Sequence, residues 1–77
     1  MWKLEGYDKT TEELACEHPL PRLGESDVRN ILKIHDNDPI EPFTFDANDP
    51  KTLDALLEYS EDTIIINPAL SYFLGFS

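Results

Sequence analysis

The chain has 77 residues, and 16 Asp and Glu outnumber six Lys and Arg to leave a formal net charge of −10. That charge excludes a phosphate-backbone binder, which needs Lys and Arg to displace counterions, and it disfavours anionic lipid surfaces. A hydrophobic fraction of 40% and an aromatic fraction of 10% exclude a disordered acidic tail.

The acids are dispersed, with no run longer than the pairs Glu12-Glu13 and Glu61-Asp62, whereas acidic tails are blocks of like charge. The composition therefore describes one folded domain with an acidic skin. A chain of this length buries roughly 60% of its unfolded surface, so its core is thin. Carrying so much unbalanced charge works against the compact state and favours a use for it, the simplest being a basic partner drawn in by the field.

Residues 2–8 and 13–18 alternate with period two, the signature of half-buried strands, with Trp2, Leu4 and Gly6 on one side and Leu14, Cys16 and His18 on the other strand's matching side. Asp8-Lys9-Thr10-Thr11-Glu12 forms the polar turn between them, and Pro19 and Pro21 end the second strand. Ser26 is the expected N-cap of a short helix whose apolar face is Val28, Ile31 and Leu32, with Arg29 and Lys33 turned away and an end near Ile34 or His35. Asp36-Asn37-Asp38-Pro39 reads as a loop.

Phe43-Thr44-Phe45 reads as a short strand with both rings on one side. Asp49-Pro50 opens a second helix, Asp as N-cap and Pro at the first helical position, with Leu53, Leu56 and Leu57 inward and Asp54 and Glu58 outward. Thr63 to Ile66 is β-branched without alternation and predicts a strand covered on both faces. Asn67-Pro68 repeats the cap-then-proline device, so residues 69–74 are expected as a short helix or turn. The element order is ββαβαβ: an α+β domain with a small, largely antiparallel sheet, two short helices and an apolar C-terminal segment.

No catalytic constellation emerges, and the chain reads as a non-enzyme that needs no cofactor. The three glycines are isolated, so there is no phosphate-cradling loop. Cys16, His18 and His35 number too few for a structural zinc site and lack paired spacing. An EF-hand counted from Asp36 would need Gly where Glu41 stands and Glu where Ala47 stands. Cys16, flanked by Ala15 and Glu17, reads as a small buried hydrophobe. Met1-Trp2-Lys3-Leu4-Glu5 has no apolar signal-peptide core, so the cytoplasm is the expected compartment.

The opening Tyr7-Asp8-Lys9-x-Thr11-x-Glu13-Leu14, followed by Pro19-Leu20-Pro21-Arg22-Leu23 and a short helix, resembles an uncharacterised family of small acidic bacterial domains. In size, acidity and lack of catalytic residues the chain also resembles immunity proteins of bacterial toxin–immunity pairs, the partners of contact-dependent inhibition toxins and nuclease bacteriocins. That resemblance implies a specific inhibitor of a cognate toxin, often a nuclease with a basic cleft.

The expected binding surface follows from the charges. Asp36, Asp38 and Glu41 with Asp46 and Asp49 form two acid-rich loops flanking the Phe43-to-Phe45 strand, and Glu58, Tyr59, Glu61 and Asp62 form a second acidic face. Tyr7, Tyr59 and Tyr72 are candidates for an interface rim, where tyrosine is favoured. Two alternatives remain open at this level: a phage-type nucleic-acid mimic that inhibits a host nuclease, and a small regulatory subunit that oligomerises through residues 68–76.

Overall fold

A computed structural model describes residues 1–34, 44–61 and 63–76. The elements run β1 (Trp2–Asp8), β2 (Leu14–Pro19), α1 (Glu25–Leu32), β3 (Thr44–Asp46), α2 (Pro50–Leu57) and β4 (Leu70–Phe76). The four strands form one sheet in the order β2-β1-β4-β3, antiparallel at every pairing. This is the expected α+β class with the ββαβαβ order. His35, Asp36, Asn37, Asp38, Pro39, Glu41, Phe43 and Asp62 lie outside the described residues.

β1 and β2 form the expected hairpin. The Asp8 carboxylate Oδ1 accepts from the backbone N–H groups of Thr10 and Thr11 at 2.7 and 3.0 Å, and the Glu12 N–H returns to the Asp8 carbonyl at 2.8 Å. Glu12 takes a left-handed conformation, φ 63°, to close that turn. One expectation fails here. The register slips between Gly6↔Cys16 and Tyr7↔Leu14, so Ala15 is an extra residue and β2 carries a bulge. The bulge reverses the alternation, and Leu14, half exposed, pairs beside Tyr7 on the face opposite Cys16 and His18.

The fourth strand is not where the β-branched run predicts it. Thr63 to Ile66 joins no strand, and Ile65 is 86% exposed. The strand is instead Leu70–Phe76, expected as a helix or turn, and it pairs along its full length with β1, from Trp2↔Phe76 to Asp8↔Leu70. Its period-two pattern, Leu70, Tyr72, Leu74 and Phe76, is masked because Phe73 puts a ring on the other side. Leu70–Phe76 is thus a central strand with Tyr72 and Leu74 buried.

Helix α1 starts two residues earlier than Ser26 would set. Gly24 is the N-cap, and Asp27 Oδ2 accepts from the Gly24 N–H at 3.0 Å. α1 stops at Leu32, where Lys33 turns left-handed and closes the helix onto the Arg29 carbonyl. Arg29 does not turn away: its side chain is only 15% exposed and lies 3.8 Å from Glu25 Oε2. α2 follows its sequence signals, with Asp49 Oδ2 accepting from the Thr52 N–H at 3.2 Å and Pro50 at the first helical position.

The two helices and the Leu20–Leu23 junction cover one face of the sheet. The core there is Trp2, Leu4, Leu20, Leu23, Val28, Ala47, Leu53, Leu56, Tyr72 and Leu74. Trp2 sits edge-on to Phe76, with ring centroids 5.1 Å apart, and 6.4 Å from Phe45. Gly6 faces this core with Cys16 Sγ, Leu70 and Tyr72 filling the space its missing side chain leaves.

Candidate functional site: the open face of the sheet

Strand geometry sends alternate side chains to opposite faces, so the residues between the core positions form a second surface. On β1 these are Lys3, Glu5 and Tyr7; on β4, Ser71, Phe73 and Gly75; on β3, Thr44 and Asp46; on β2, Leu14, Glu17 and Pro19. No described helix covers this face.

The cross-strand register orders these residues into rows. The middle row reads Glu17, Glu5, Phe73, Asp46, so Phe73 has an acidic residue as its cross-strand neighbour on each side. Tyr7 stacks edge-on against Phe73, centroids 5.7 Å apart and planes at 75°. Tyr7, Phe73, Thr44, Ser71 and the hairpin residues Asp8, Lys9 and Glu12 line a groove of about 470 Å³. The Glu5 carboxylate lies across Gly75, where a Cβ would come within 2.6 Å of Glu5 Oε1, and glycine there makes room for it.

The electrostatics are one-sided. Glu17 is paired with Lys3 Nζ at 3.2 Å. Lys9 is held by the hairpin's neighbour, its Nζ donating to the Pro68 carbonyl at 2.9 Å. Among the described residues Glu5 and Asp46 have no ion-pair partner. Glu5 also stands directly opposite Glu17, and like charges in that position are destabilising. Partial burial, and then the charges of Glu5 and Glu17, push the Tyr7 phenol above its ordinary value. Hydrogen bonds from the Thr11 and Thr10 amides hold the Asp8 carboxyl below the usual aspartate value.

The sequence-predicted residues fall in three places. Asp46 belongs to the open face, where its Oδ1 also accepts from the Asn48 backbone and side-chain N–H groups at 2.8 and 2.9 Å. Asp49 caps α2, exposed to solvent. Glu58, Tyr59 and Glu61 lie at the far end of α2, where the Tyr59 hydroxyl donates to Asp27 Oδ1 at 3.0 Å and Arg22 donates to the Glu58 carbonyl at 2.9 Å. The bond to Asp27 and then burial raise the Tyr59 phenol above its ordinary value. Tyr59 thereby ties α2 to the start of α1, and Tyr72, another rim candidate, is buried with its hydroxyl accepting from the Asn67 N–H at 2.9 Å. Asp36, Asp38, Glu41 and Asp62 lie outside the described residues.

The residues that sequence reasoning passed over are Glu5, Glu17 and Phe73. The alternation of Lys3, Glu5 and Tyr7 was a visible signal for a polar outer face, but only the pairing of β1 with β4 places Phe73 and Asp46 beside it. Among the described residues no group of three or more His, Cys, Asp and Glu is arranged to hold a metal, and no helix is long and apolar enough to cross a membrane.

Fold and face together define a small α+β domain with one packed and one open, acidic and aromatic sheet face. The family model described as Domain of unknown function (DUF7683) matches residues 1–75, and the chain belongs to that family. No curated protein and no solved structure matches it.

Proposed function

We propose that this domain is a cytoplasmic immunity-type protein. It binds a cognate bacterial toxin domain, with a nuclease as the favoured target, and neutralises it by covering its active site or an adjacent exosite without chemistry of its own. The observation that carries this reading is the open sheet face, where the Tyr7–Phe73 pair lines a groove with Asp8 and Glu12 in its wall and the same face carries Glu5, Glu17 and Asp46.

Such a face has the anatomy of a binding surface. Aromatic groups supply contact area at its centre. The carboxylates around them steer a basic partner in and reject acidic ones. A net charge of −10 extends that steering beyond the contact itself. A nuclease cleft evolved to hold phosphates presents the complementary sign.

The test is capture of partners by the tagged protein from its own host at low and then high salt, with mass spectrometry of what is retained. A dominant toxin-like protein that survives high salt supports the reading. Retention of nothing, or only of salt-labile basic proteins, overturns it and leaves the acids as a solubility skin.

A further inference from the structure

We propose that Thr63 to Ile66 is a strand that a second copy of this chain completes: two copies pair these segments antiparallel, backbone to backbone, in a weak dimer that salt strengthens. This contact is separate from the open sheet face and does not depend on the toxin reading.

The segment has the residues and the exposure of a strand but no ladder. Thr63, Ile64, Ile65 and Ile66 are all β-branched, the type that suits a pleated surface. Exposure alternates with period two: Thr63, Ile65 and Asn67 are exposed, Ile64 and Ile66 partly buried. Ile66 packs on the core, while Ile65 stands 86% exposed. Asn67 anchors the end of the run, its N–H donating to the Tyr72 hydroxyl at 2.9 Å and its carbonyl accepting from the Leu70 N–H at 3.0 Å. Among the described residues no backbone N–H or C=O group of residues 63–66 is hydrogen-bonded. An anchored row of open backbone groups is a template for another strand.

Charge selects the occupant. Residues 63–77 contain no Asp, Glu, Lys or Arg, in a chain of net charge −10. A basic strand finds no carboxylate within this run, whereas a second copy meets it without setting like charges opposite each other. Antiparallel pairing centred on Ile65 places Ile65 against its own counterpart, Ile64 against Ile66 and Thr63 against Asn67, the self-matching contact of a two-fold dimer. It also sets the exposed Glu61 of each copy toward the uncharged Ala69 end of the other, where parallel pairing would set the two glutamates side by side. Pro68 has no N–H to give and bounds the ladder. A ladder this short buries less than the roughly 1,200 Å² of a stable interface, so the dimer is weak. Two copies at −10 also repel each other until salt screens them.

The experiment is sedimentation equilibrium of the full chain up to about 1 mM, in about 0.05 M and about 0.5 M sodium chloride, with amide spectra of the labelled chain followed on dilution. The expected mass rises with concentration from 8.8 kDa toward twice that value, and association is about three-fold tighter or more at the higher salt. The amides that move on dilution should be those of residues 63–66. Ile65→Lys should abolish the association although it lowers the net negative charge, while thermal unfolding shows the variant folded, as the exposure of Ile65 leads one to expect. A monomer at every concentration in both salts would overturn the proposal. So would association that weakens with salt, survives I65K, or moves the Tyr7 and Phe73 amides in place of residues 63–66. Protection of amides 63–66 by a captured host protein, with the pure chain monomeric, would also overturn it and assign the ladder to a different chain.

Discussion

The two faces of the sheet are built by the same strands with the same alternation, and they obey different rules. On the covered face Trp2, Leu4, Tyr72 and Leu74 are buried to within a few per cent of completely, and a glycine is needed at position 6 because Cys16, Leu70 and Tyr72 converge there. On the open face two glutamates stand opposite each other, and an aromatic pair stays partly in water. The covered face is constrained by volume, because a close-packed interior does not yield. The open face tolerates features that oppose folding, which is where a protein of marginal stability keeps what it needs for something else.

The largest effects should come from the covered face. Leu74→Ala should lower the unfolding free energy by about 2–5 kcal/mol, measured by urea denaturation, whereas Phe73→Ala, one residue along, should change it far less. Equal losses would show that the open face is a second core. Next in size is the contrast between two glycines. Gly6→Ala drives a methyl group into Cys16, Leu70 and the Tyr72 ring and should be destabilising by about 1–3 kcal/mol. Gly75→Ala meets only the movable end of Glu5 and should leave stability nearly unchanged while displacing that carboxylate.

Removing a single hydroxyl from the covered side is a smaller perturbation. Tyr72→Phe leaves the Asn67 N–H without its acceptor and should cost about 1 kcal/mol in the same denaturation measurement. Glu5→Gln removes one of two facing like charges and should stabilise by a few tenths, about 0.2–0.5 kcal/mol, while weakening partner binding. Opposite signs in the two measurements mark a residue kept for binding. A loss of stability in E5Q would instead assign Glu5 to the fold.

The smallest effect concerns pH. The Asp8 carboxyl is held below its ordinary value of 3.8 by the Thr11 and Thr10 amides. Its folded pKa is depressed, so its contribution is fully present above 3.8 and is lost as the pH falls through the lower folded value. The difference in thermal midpoint between wild type and Asp8→Ala should therefore be seen at neutral pH and shrink in acid below that range. A difference that persists at low pH would place the effect in the turn backbone.

Wherever a structure is decided by neighbours a few residues apart, the sequence was sufficient. The β1–β2 hairpin with its Asp8 turn, the Asp49-Pro50 start of α2 and its Leu53 and Leu56 stripe, the element order and the sign of the surface potential all follow from spacing, capping and charge. Where the sequence misled, a distant partner overrode the local preference. Thr63 to Ile66 has the residues of a strand and finds no described strand to pair with. Leu70–Phe76 has an ambiguous pattern and becomes a central strand because β1, at the other end of the chain, offers it a full ladder. Backbone groups buried in a sheet require partners, and only the tertiary structure decides which segment supplies them. The same long-range pairing, with the bulge at Ala15 and the short β3, brings Glu5, Tyr7, Phe73 and Asp46 from separate parts of the chain onto one face. No local signal encodes that juxtaposition, because it exists only once the two ends of the chain lie side by side.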